Sequence, residues 1–392
     1  MMDQTLRWGY TTGTCAAAAS LAAALMLLGG KRQERVSLTT PKGICLELET
    51  EEIQMEEDQV FCAVRKDAGD DPDVTDGILI FGRVSRRQEK SMEESGAYIH
   101  ESGSLRLVLT GGVGVGTVTK PGLSCEVGKP AINPVPRRMI FEQVEKVCRE
   151  YGYTGSLRIE IYAPEGKERA ERTFNPRLGI QGGISILGTS GIVEPMSEAA
   201  LLETIRLELR QKHLEGYDRL ILTPGNYGEA FLRNHLGIDL GEAVKCSNFI
   251  GKTLDMAGEE GIREVFLAGH GGKLIKVAAG IMNTHSSEAD GRMEILAAYG
   301  AACGAGPELI EEILEAVTVD QGLALLERCP GLRERVMERV MERISFHIGR
   351  RTFGKLQAEV LVFTNERGIL GMTAGAENML EAYRQQMKTQ KG

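Results

Sequence analysis

A glycine-rich turn carrying an imidazole and two lysines occupies residues 269–276, GHGGKLIK, directly after the apolar run EVFLA. The pattern predicts a strand end followed by a helix start, which would bring backbone N–H groups, His270 and the cations Lys273 and Lys276 together. A second histidine, His285, follows in the polar run NTHS. Imidazole titrates near neutral pH and serves as a general acid or base. One histidine is more often structural than catalytic, and two beside a glycine turn leave both interpretations open.

A second segment, residues 111–138, combines glycines and prolines with four cations and one acid, Glu126. Glycine lets backbone N–H groups turn toward a ligand, and the cations add positive charge. The segment is therefore predicted to be an ordered loop that binds an anion. Its cations are Lys120, Lys129, Arg137 and Arg138.

Two further motifs each allow a functional and a structural interpretation. In GYTTGTC, residues 9–15, Thr12 and Thr14 stand at a predicted helix start, where hydroxyls either help to hold an anion or cap the helix. Residues 66–77, KDAGDDPDVTDG, carry five aspartates but fail the EF-hand template, because Asp76 stands where glycine is required. The carboxylates, Asp71 among them, form either a solvated turn or a site that orients donors, holds a proton or pairs with cations.

Several common templates are excluded. The tripeptide GKT at 251–253 lacks the glycine-rich approach of a phosphate-binding loop, and GVGVG at 112–116 is not the dinucleotide fingerprint. The eight cysteines are too far apart in sequence for a C-x-x-C pair, so we expect reduced thiols and no protein metal site. A net charge of −9 argues against a general nucleic-acid or anionic-membrane surface. The longest apolar stretch, residues 15–28, is short of the roughly 20 residues of a membrane span, and a cytoplasmic protein is expected.

The chain of 392 residues exceeds the usual size of one hydrophobic core, so two domains are predicted. Residues 1–178 are predicted to form an α+β domain that contains the glycine-rich basic loop. Residues 179–375 repeat strand, glycine turn and helix, which predicts an α/β domain with a doubly wound, Rossmann-like, mostly parallel sheet. Residues 376–392 are predicted to be a C-terminal helix and tail.

Ligands of such sheets bind at the carboxyl ends of the strands, where the glycine turns of the second domain fall. We therefore expect one crevice lined by these turns. Its predicted residues are Gly188, Thr189, Ser190, Gly191, Gly225, Asn226, Gly269, Gly271 and Gly272.

Taken together, these segments resemble the cobalt-precorrin-5B C1-methyltransferase family of anaerobic cobalamin biosynthesis. The resemblance runs in family order from residue 9 to about residue 296. It is carried by GYTTGTCAAAA (9–19), KDAGDDPDVTDG (66–77), GGVGVGTVTKPGL (111–123), EVGKPAINPVPR (126–137), ILGTSGIVEPMS (186–197), LTPGNYG (222–228), KCSNFIG (245–251) and AGHGGKLIKVAAGIMNTHS (268–286).

The resemblance implies methyl transfer from S-adenosylmethionine to C1 of a cobalt tetrapyrrole, giving cobalt-precorrin-6A. The cobalt then belongs to the substrate, the crevice of glycine turns holds the methyl donor, and Glu194 or Asp218 contacts its ribose. The substrate carries many carboxylates, and cations and hydroxyls would bind them. The residues proposed for this role are Thr12, Thr14, Lys120, Lys129, Arg137, Arg138 and Lys273, with Lys276 nearby.

Methyl transfer from a sulfonium depends mainly on alignment of the acceptor carbon with the S–CH3 bond. His270, His285 and Asp71 are the candidate bases for removal of the proton after methylation. Two rival functions stay open: phosphoryl transfer to a small molecule, with a nucleotide phosphate in the GGVGVG loop, and a corrinoid carrier without enzymatic activity. No nucleic-acid or membrane partner is expected, and a homo-oligomer is left open.

Overall fold

The computed structural model describes residues 6–86, 96–225, 231, 233–237 and 243–391. The fold is a mixed α/β fold with several sheets. The chain divides into two compact units, Met1–Glu198 (unit 1) and Ala199–Gly392 (unit 2).

The described residues of unit 1 form short strands and three helices. Its helices are α1 (Thr12–Gly29), α2 (Pro134–Glu150) and α3 (Gly166–Ala170). Its strands are β1 (Gly9–Tyr10), β2 (Arg35–Thr39), β3 (Cys45–Glu49), β4 (Glu51–Met55), β5 (Gln59–Arg65), β6 (Leu79–Arg86), β7 (Tyr98–Ser102), β8 (Leu105–Gly111), β9 (Gly114–Val115), β10 (Thr117–Val118), β11 (Ser156–Tyr162), β12 (Ile180–Gln181), β13 (Gly183–Ile184) and β14 (Ile192–Val193).

The main sheet of unit 1 has six strands in the order β4-β5-β6-β11-β8-β7. All neighbours in it are antiparallel except β8 and β11, which are parallel and are joined through α2. The glycine-rich loop therefore leaves the carboxyl end of β8 inside a βαβ crossover. Residues 41–43, PKG, are turn formers by residue type, and the hairpin that they predict is present as β2 and β3.

The alanine-rich helix α1 lies in the core of unit 1, where Ala16 to Ala19 are fully buried. Its small side chains allow close approach to the sheet: a Cβ built at Gly82 of β6 would lie 2.7 Å from the backbone nitrogen of Ser20. Among the described residues, α1 alone has the length and hydropathy of a membrane span, and 83% of that window is buried inside the fold. Such burial is typical of a core helix.

The segment that follows residue 178 belongs to unit 1 by its pairing. Strand β12 pairs with β10, β13 pairs with β9, and β14 pairs with β1. Residues 183–187, GISIL, fall within the predicted second domain, but Gly183 and Ile184 pair with Gly114 and Val115 of the glycine-rich loop. The division between units accordingly falls after Glu198, later than the predicted boundary at residue 178.

Unit 2 contains a five-stranded sheet and several helices. Its strands are β15 (Arg219–Thr223), β16 (Val244–Lys245), β17 (Glu264–His270), β18 (Gln357–Thr364) and β19 (Gly368–Met372). Its helices are α4 (Glu198–Leu214), α5 (Ile250–Glu259), α6 (Gly271–Leu274), a 3-10 helix (Ile275–Ala279), α7 (Arg292–Ala302), α8 (Pro307–Glu315), α9 (Val319–Leu326), α10 (Leu332–Thr352) and α11 (Ala376–Lys391).

The sheet of unit 2 has the order β16-β15-β17-β18-β19, with parallel pairs up to β18 and an antiparallel edge strand β19. Alternate residues of its strands enter different cores: Leu267 packs in one cluster, and Phe266 packs in the other. Burial on both faces explains the continuous apolar runs of these strands. The chain passes from β15 to β16 on one side and then to β17 on the other, so the strand order reverses between β15 and β17.

Candidate functional site

The carboxyl ends of β15 and β17 form the candidate ligand edge of unit 2. Ligands of open α/β sheets bind where the strand order reverses, which is between these two strands. Pro224 and Gly225 follow β15, and His270 ends β17. The ammonium of Lys273 donates to the Pro224 carbonyl oxygen at 2.5 Å, so it bridges the two strand ends. The predicted residue Asn226 lies outside the described residues.

The glycines at this edge have different surroundings. Gly269 is packed tightly, because a Cβ there would lie 2.8 Å from the Pro224 side chain. A Cβ at Gly271 would lie 3.3 Å from the Val319 side chain, whereas a Cβ at Gly225 would meet Lys273 Nζ only at 3.8 Å. Close packing therefore explains the absence of a side chain at Gly269, whereas the described residues leave no such close contact at Gly225.

His270 has a fixed orientation at the end of β17. Its Nδ1 accepts a hydrogen bond from the Gly272 N–H at 3.1 Å, which caps α6. Burial lowers the pKa of His270, so the ring is neutral at pH 7. With Nδ1 accepting, Nε2 carries the proton of the neutral ring. In this arrangement the donor of the His270 ring is its Nε2–H group. The lone pair on Nδ1 already accepts the hydrogen bond from Gly272.

The loop that contains His285 is held by a buried lysine. Lys276, 3% exposed, donates to the carbonyl oxygens of Thr284 at 3.3 Å and Ala289 at 2.7 Å. The imidazole of His285 is exposed, and its Nδ1 lies 2.7 Å from the Ser287 hydroxyl. Lys276 thus has a structural role in this conformation, while His285 stays accessible to solvent.

The predicted turn of residues 188–191 lies in unit 1, against the start of α1. The Gly13 N–H donates to the Leu187 carbonyl at 2.9 Å. The Thr14 hydroxyl donates to the Gly191 carbonyl at 2.7 Å, and the Thr12 hydroxyl donates to the Ser185 carbonyl at 3.1 Å. Thr12 and Thr14 are buried, so both hydroxyls serve the fold here, and the helix cap is Thr11. Residues 188–191 therefore belong to unit 1, and the single crevice predicted from them and the turns of unit 2 stays a prediction.

The acidic loop is built from its own aspartates. Each carboxylate accepts a hydrogen bond from a backbone or side-chain donor, and two of them form ion pairs. The donors are Arg7 for Asp67, the Arg7 N–H for Asp70, the Met196 N–H for Asp71, Lys66 for Asp73 and the Ala68 N–H for Asp76. The Met196 bond to Asp71 measures 2.8 Å and ties this loop to the segment after β14. Of the alternatives that the sequence leaves open, these contacts favour carboxylates that orient donors and pair with cations.

Many backbone N–H groups of the glycine-rich loop donate hydrogen bonds to carbonyl groups within unit 1. The N–H groups of Gly112, Gly116 and Thr119 donate to Ile161, Ile184 and Gly179 at 2.8, 2.9 and 2.7 Å. At the start of α2, Pro134 and Pro136 supply no N–H group. An anion held by a cradle of backbone donors is therefore not supported, and the side-chain cations remain the candidate anion ligands.

These cations differ in their surroundings. Arg137 and Lys129 both lie over the Tyr98 ring, at 4.0 and 5.1 Å from its centre, and Lys129 also pairs with Glu126 at 3.2 Å. The side chain of Arg138 is 62% exposed, with Glu142 at 3.8 Å. Lys120 packs against Gly179. Tyr98 was not anticipated, because an isolated tyrosine on a strand carries no sequence signal for cation stacking.

We expect R138A and R137A to differ in their effect on stability, because Arg138 is exposed and Arg137 packs on Tyr98. R138A removes an exposed cation and should change the free energy of unfolding by less than about 0.5 kcal/mol. R137A loses the stacking on Tyr98 and should cost about 1 kcal/mol. Urea unfolding measures both values, and equal destabilisation by the two variants would contradict the assigned contacts.

The two predicted ribose partners lie in different units. Glu194 is in unit 1, where it pairs with Lys42. Asp218 precedes β15, and its carbonyl accepts the N–H groups of Arg263 and Glu264 at 2.9 and 3.1 Å. It therefore lies at the amino ends of β15 and β17, opposite to the glycine turns.

Comparisons with known proteins place the chain in a family. The CbiD family model matches residues 1–195, and the model of the CbiD C-terminal domain matches residues 283–374. A curated protein of Ruminiclostridium cellulolyticum, named cobalt-precorrin-5B C(1)-methyltransferase, is 46% identical over 96% of this chain and 95% of its own length. A protein of the same name from Alkaliphilus metalliredigens is 44% identical over 96% of this chain and 94% of its own.

A solved structure also matches the chain. It is the 1.9 Å crystal structure of a cobalamin biosynthesis protein, cbiD, from Archaeoglobus fulgidus, which is 30% identical and covers 72% of this chain and 83% of that one, with a TM-score of 0.37. The family models and the nearly full-length curated relatives agree with each other. The chain belongs to the CbiD family, whose curated members are named cobalt-precorrin-5B C(1)-methyltransferases.

Proposed function

We propose that the protein transfers the methyl group of S-adenosylmethionine to C1 of cobalt-precorrin-5B and forms cobalt-precorrin-6A, acting in the cytoplasm. The observation that carries this proposal is the 46% identity to a curated methyltransferase over 96% of the chain. Both units share in that match, so the proposal concerns the whole chain.

In the proposed reaction the acceptor carbon forms a bond to the methyl group while the sulfur–methyl bond breaks, and S-adenosylhomocysteine leaves. The chain's contribution is to hold donor and acceptor in line, because positioning supplies much of the rate gain for such a transfer. We place the methyl donor at the carboxyl edge of the Rossmann-like sheet of unit 2, near Gly225, Gly271 and Gly272. The accessible cation Arg138, with Lys120, is proposed to bind substrate carboxylates.

The three candidate bases differ in their suitability for proton removal. His270 has its Nδ1 lone pair occupied by the Gly272 N–H, so we assign it a hydrogen-bond donor role at Nε2. The Oδ1 atom of Asp71 accepts the Met196 N–H, and its other carboxylate oxygen is proposed to accept the proton. His285 is exposed and paired with Ser287. Asp71 and His285 therefore remain the two proposed bases.

The variant H270N tests the role of His270. Asparagine keeps an acceptor for the Gly272 N–H and is a good helix cap, so stability should change by less than about 0.5 kcal/mol. It removes the Nε2 donor, and we expect kcat to fall by about tenfold or more if that donor acts on bound ligand. Unchanged kcat with unchanged stability would show that the His270 ring only caps α6.

Calorimetric titration with S-adenosylhomocysteine, with and without a cobalt tetrapyrrole, tests the proposed function. The proposal predicts binding of both compounds. A corrinoid carrier would bind the tetrapyrrole alone, and a phosphotransferase would instead bind ATP with magnesium. Failure of S-adenosylhomocysteine to bind under either condition would exclude the methyltransferase proposal.

A further inference from the structure

Lys273 combines partial burial with a fixed position at the point where the strand order of unit 2 reverses. It lies in α6, three residues after the end of β17, and its ammonium donates to the carbonyl oxygen of Pro224, just after β15, at 2.5 Å. Among the described residues, the nearest atom to a Cβ built at Gly225 is this same ammonium nitrogen, at 3.8 Å. Lys273 therefore places a cation between the two strand ends.

The charge of Lys273 is not neutralised within the part of the chain that the structure describes. Its ammonium has a carbonyl partner, and no described carboxylate oxygen lies within 4.0 Å of it. Burial lowers the pKa of Lys273, and the nearby charge of Lys276 lowers it further, although the Cys246 thiol opposes this. Removing an ammonium from water costs free energy, and buried charges are usually paired with an opposite charge. The crevice therefore has a place for an anion.

Lys276, the neighbouring cation, provides an internal comparison. Its ammonium is more deeply buried than that of Lys273, but it has two carbonyl partners and lies 3.8 Å from the Asp290 carboxylate. Lys276 thus has its counter-charge within the fold. Lys273, three residues after the end of β17, has only the Pro224 carbonyl as a partner among the described residues.

We propose that Lys273 binds the carboxylate of the amino-acid moiety of the methyl donor. This inference rests on the proposed function. A single ammonium held on a fixed carbonyl suits one carboxylate, and the donor has one, at the end opposite to its adenine. The strand-order reversal is where α/β folds bind their cofactors. Lys273 was expected to bind the tetrapyrrole, and its position at this crevice favours the donor instead.

The test compares two ligands that differ in the amino-acid moiety. S-adenosylhomocysteine has the carboxylate, and 5′-methylthioadenosine lacks it. In the full-length protein, K273M should weaken S-adenosylhomocysteine binding about tenfold or more and should leave 5′-methylthioadenosine binding within about twofold, because a lost charged hydrogen bond affects only the first ligand. K273R keeps the charge and should retain part of the affinity. K355M, which removes an exposed lysine of unit 2, is the matched control and should change neither affinity.

Four results would overturn the inference. Equal weakening of both nucleosides by K273M would indicate general damage to the crevice, and thermal unfolding of each variant would show it. An unchanged affinity of K273M for S-adenosylhomocysteine would show that Lys273 does not contact the carboxylate of this ligand. Weaker binding of a corrin polycarboxylate such as cobyrinic acid, with S-adenosylhomocysteine binding intact, would assign the anion to the tetrapyrrole. If the wild-type protein binds no S-adenosylhomocysteine, the proposed function fails as well, whereas wild-type binding with an unaffected K273M variant overturns the inference alone.

Discussion

Replacing Gly114 with alanine is expected to lower the free energy of unfolding by about 3–5 kcal/mol. A Cβ at this position would lie 1.7 Å from the Ala163 carbonyl oxygen, and the backbone has a φ of +77°. Gly114 also pairs through β9 with β13, so displacement of its backbone would disturb the pairing of Gly183 and Ile184. The glycine-rich loop should therefore lose its ordered form along with the stability of unit 1, as urea unfolding and circular dichroism would report.

G128A is the matched control within the same loop. Gly128 has a similar φ of +87°, but no described residue lies within 4 Å of a Cβ built there. Only the backbone penalty of about 1 kcal/mol applies. The difference between the two variants isolates the steric clash with Ala163. Equal losses would mean that the close approach of β9 to Ala163 is not a real constraint.

D73N is the second variant with a large expected effect, because Asp73 neutralises a buried lysine. The Lys66 side chain is 2% exposed, and its ammonium lies 2.6 Å from the Asp73 carboxylate. Removing one partner of a buried pair leaves the other charge uncompensated. Since Asp73 itself is 27% exposed, we expect a loss of about 2–3 kcal/mol in the free energy of unfolding, somewhat below the value for a fully buried pair.

Two further variants serve as controls for D73N. D76N keeps an acceptor for the Ala68 N–H and breaks no ion pair, so it should cost less than about 1 kcal/mol. The double variant K66M/D73N removes both charges and should recover part of the loss, because an apolar replacement of a buried pair is often tolerated. A double variant as unstable as D73N alone would contradict the assigned pairing.

The same pair predicts the pH dependence of stability. Burial raises the pKa of Asp73, but Lys66 and the hydrogen bonds from Thr75 outweigh this, and the net effect holds the pKa below its ordinary value. A carboxyl whose folded pKa is depressed contributes stability that is present above the unfolded pKa of about 4 and is lost as pH falls through the lower folded pKa. Wild-type stability should decline over this acid range more steeply than that of D73N.

The sequence allowed prediction of elements that have local signals. Turn residues 41–43 between two alternating runs indicated the β2–β3 hairpin, and the apolar run of β17 followed by a glycine turn indicated a strand end beside His270. The family resemblance was predicted on the same motifs and is confirmed by the family models. These features depend on residues that are close together in the chain.

Other features depend on partners that are distant in sequence. Gly183 and Ile184 form a strand of two residues, and so short a strand carries no sequence signal for its partner. They pair with Gly114 and Val115 rather than with the sheet of unit 2. The parallel pairing of β8 with β11 through α2 could have been inferred from the strand–helix–strand order of residues 105–162, but the glycine content of the loop suggested a ligand cradle instead. Its N–H groups are occupied because Ile161, Ile184 and Gly179 approach from later in the chain.

The proposed reaction is tested most directly by identifying the product by NMR after incubating the purified protein with cobalt-precorrin-5B and S-adenosylmethionine carrying a 13C-labelled methyl group. We expect one labelled methyl group on C1 of the tetrapyrrole and release of S-adenosylhomocysteine. Loss of the label from the donor without labelling of the tetrapyrrole, or a methyl group at another ring carbon, would contradict it.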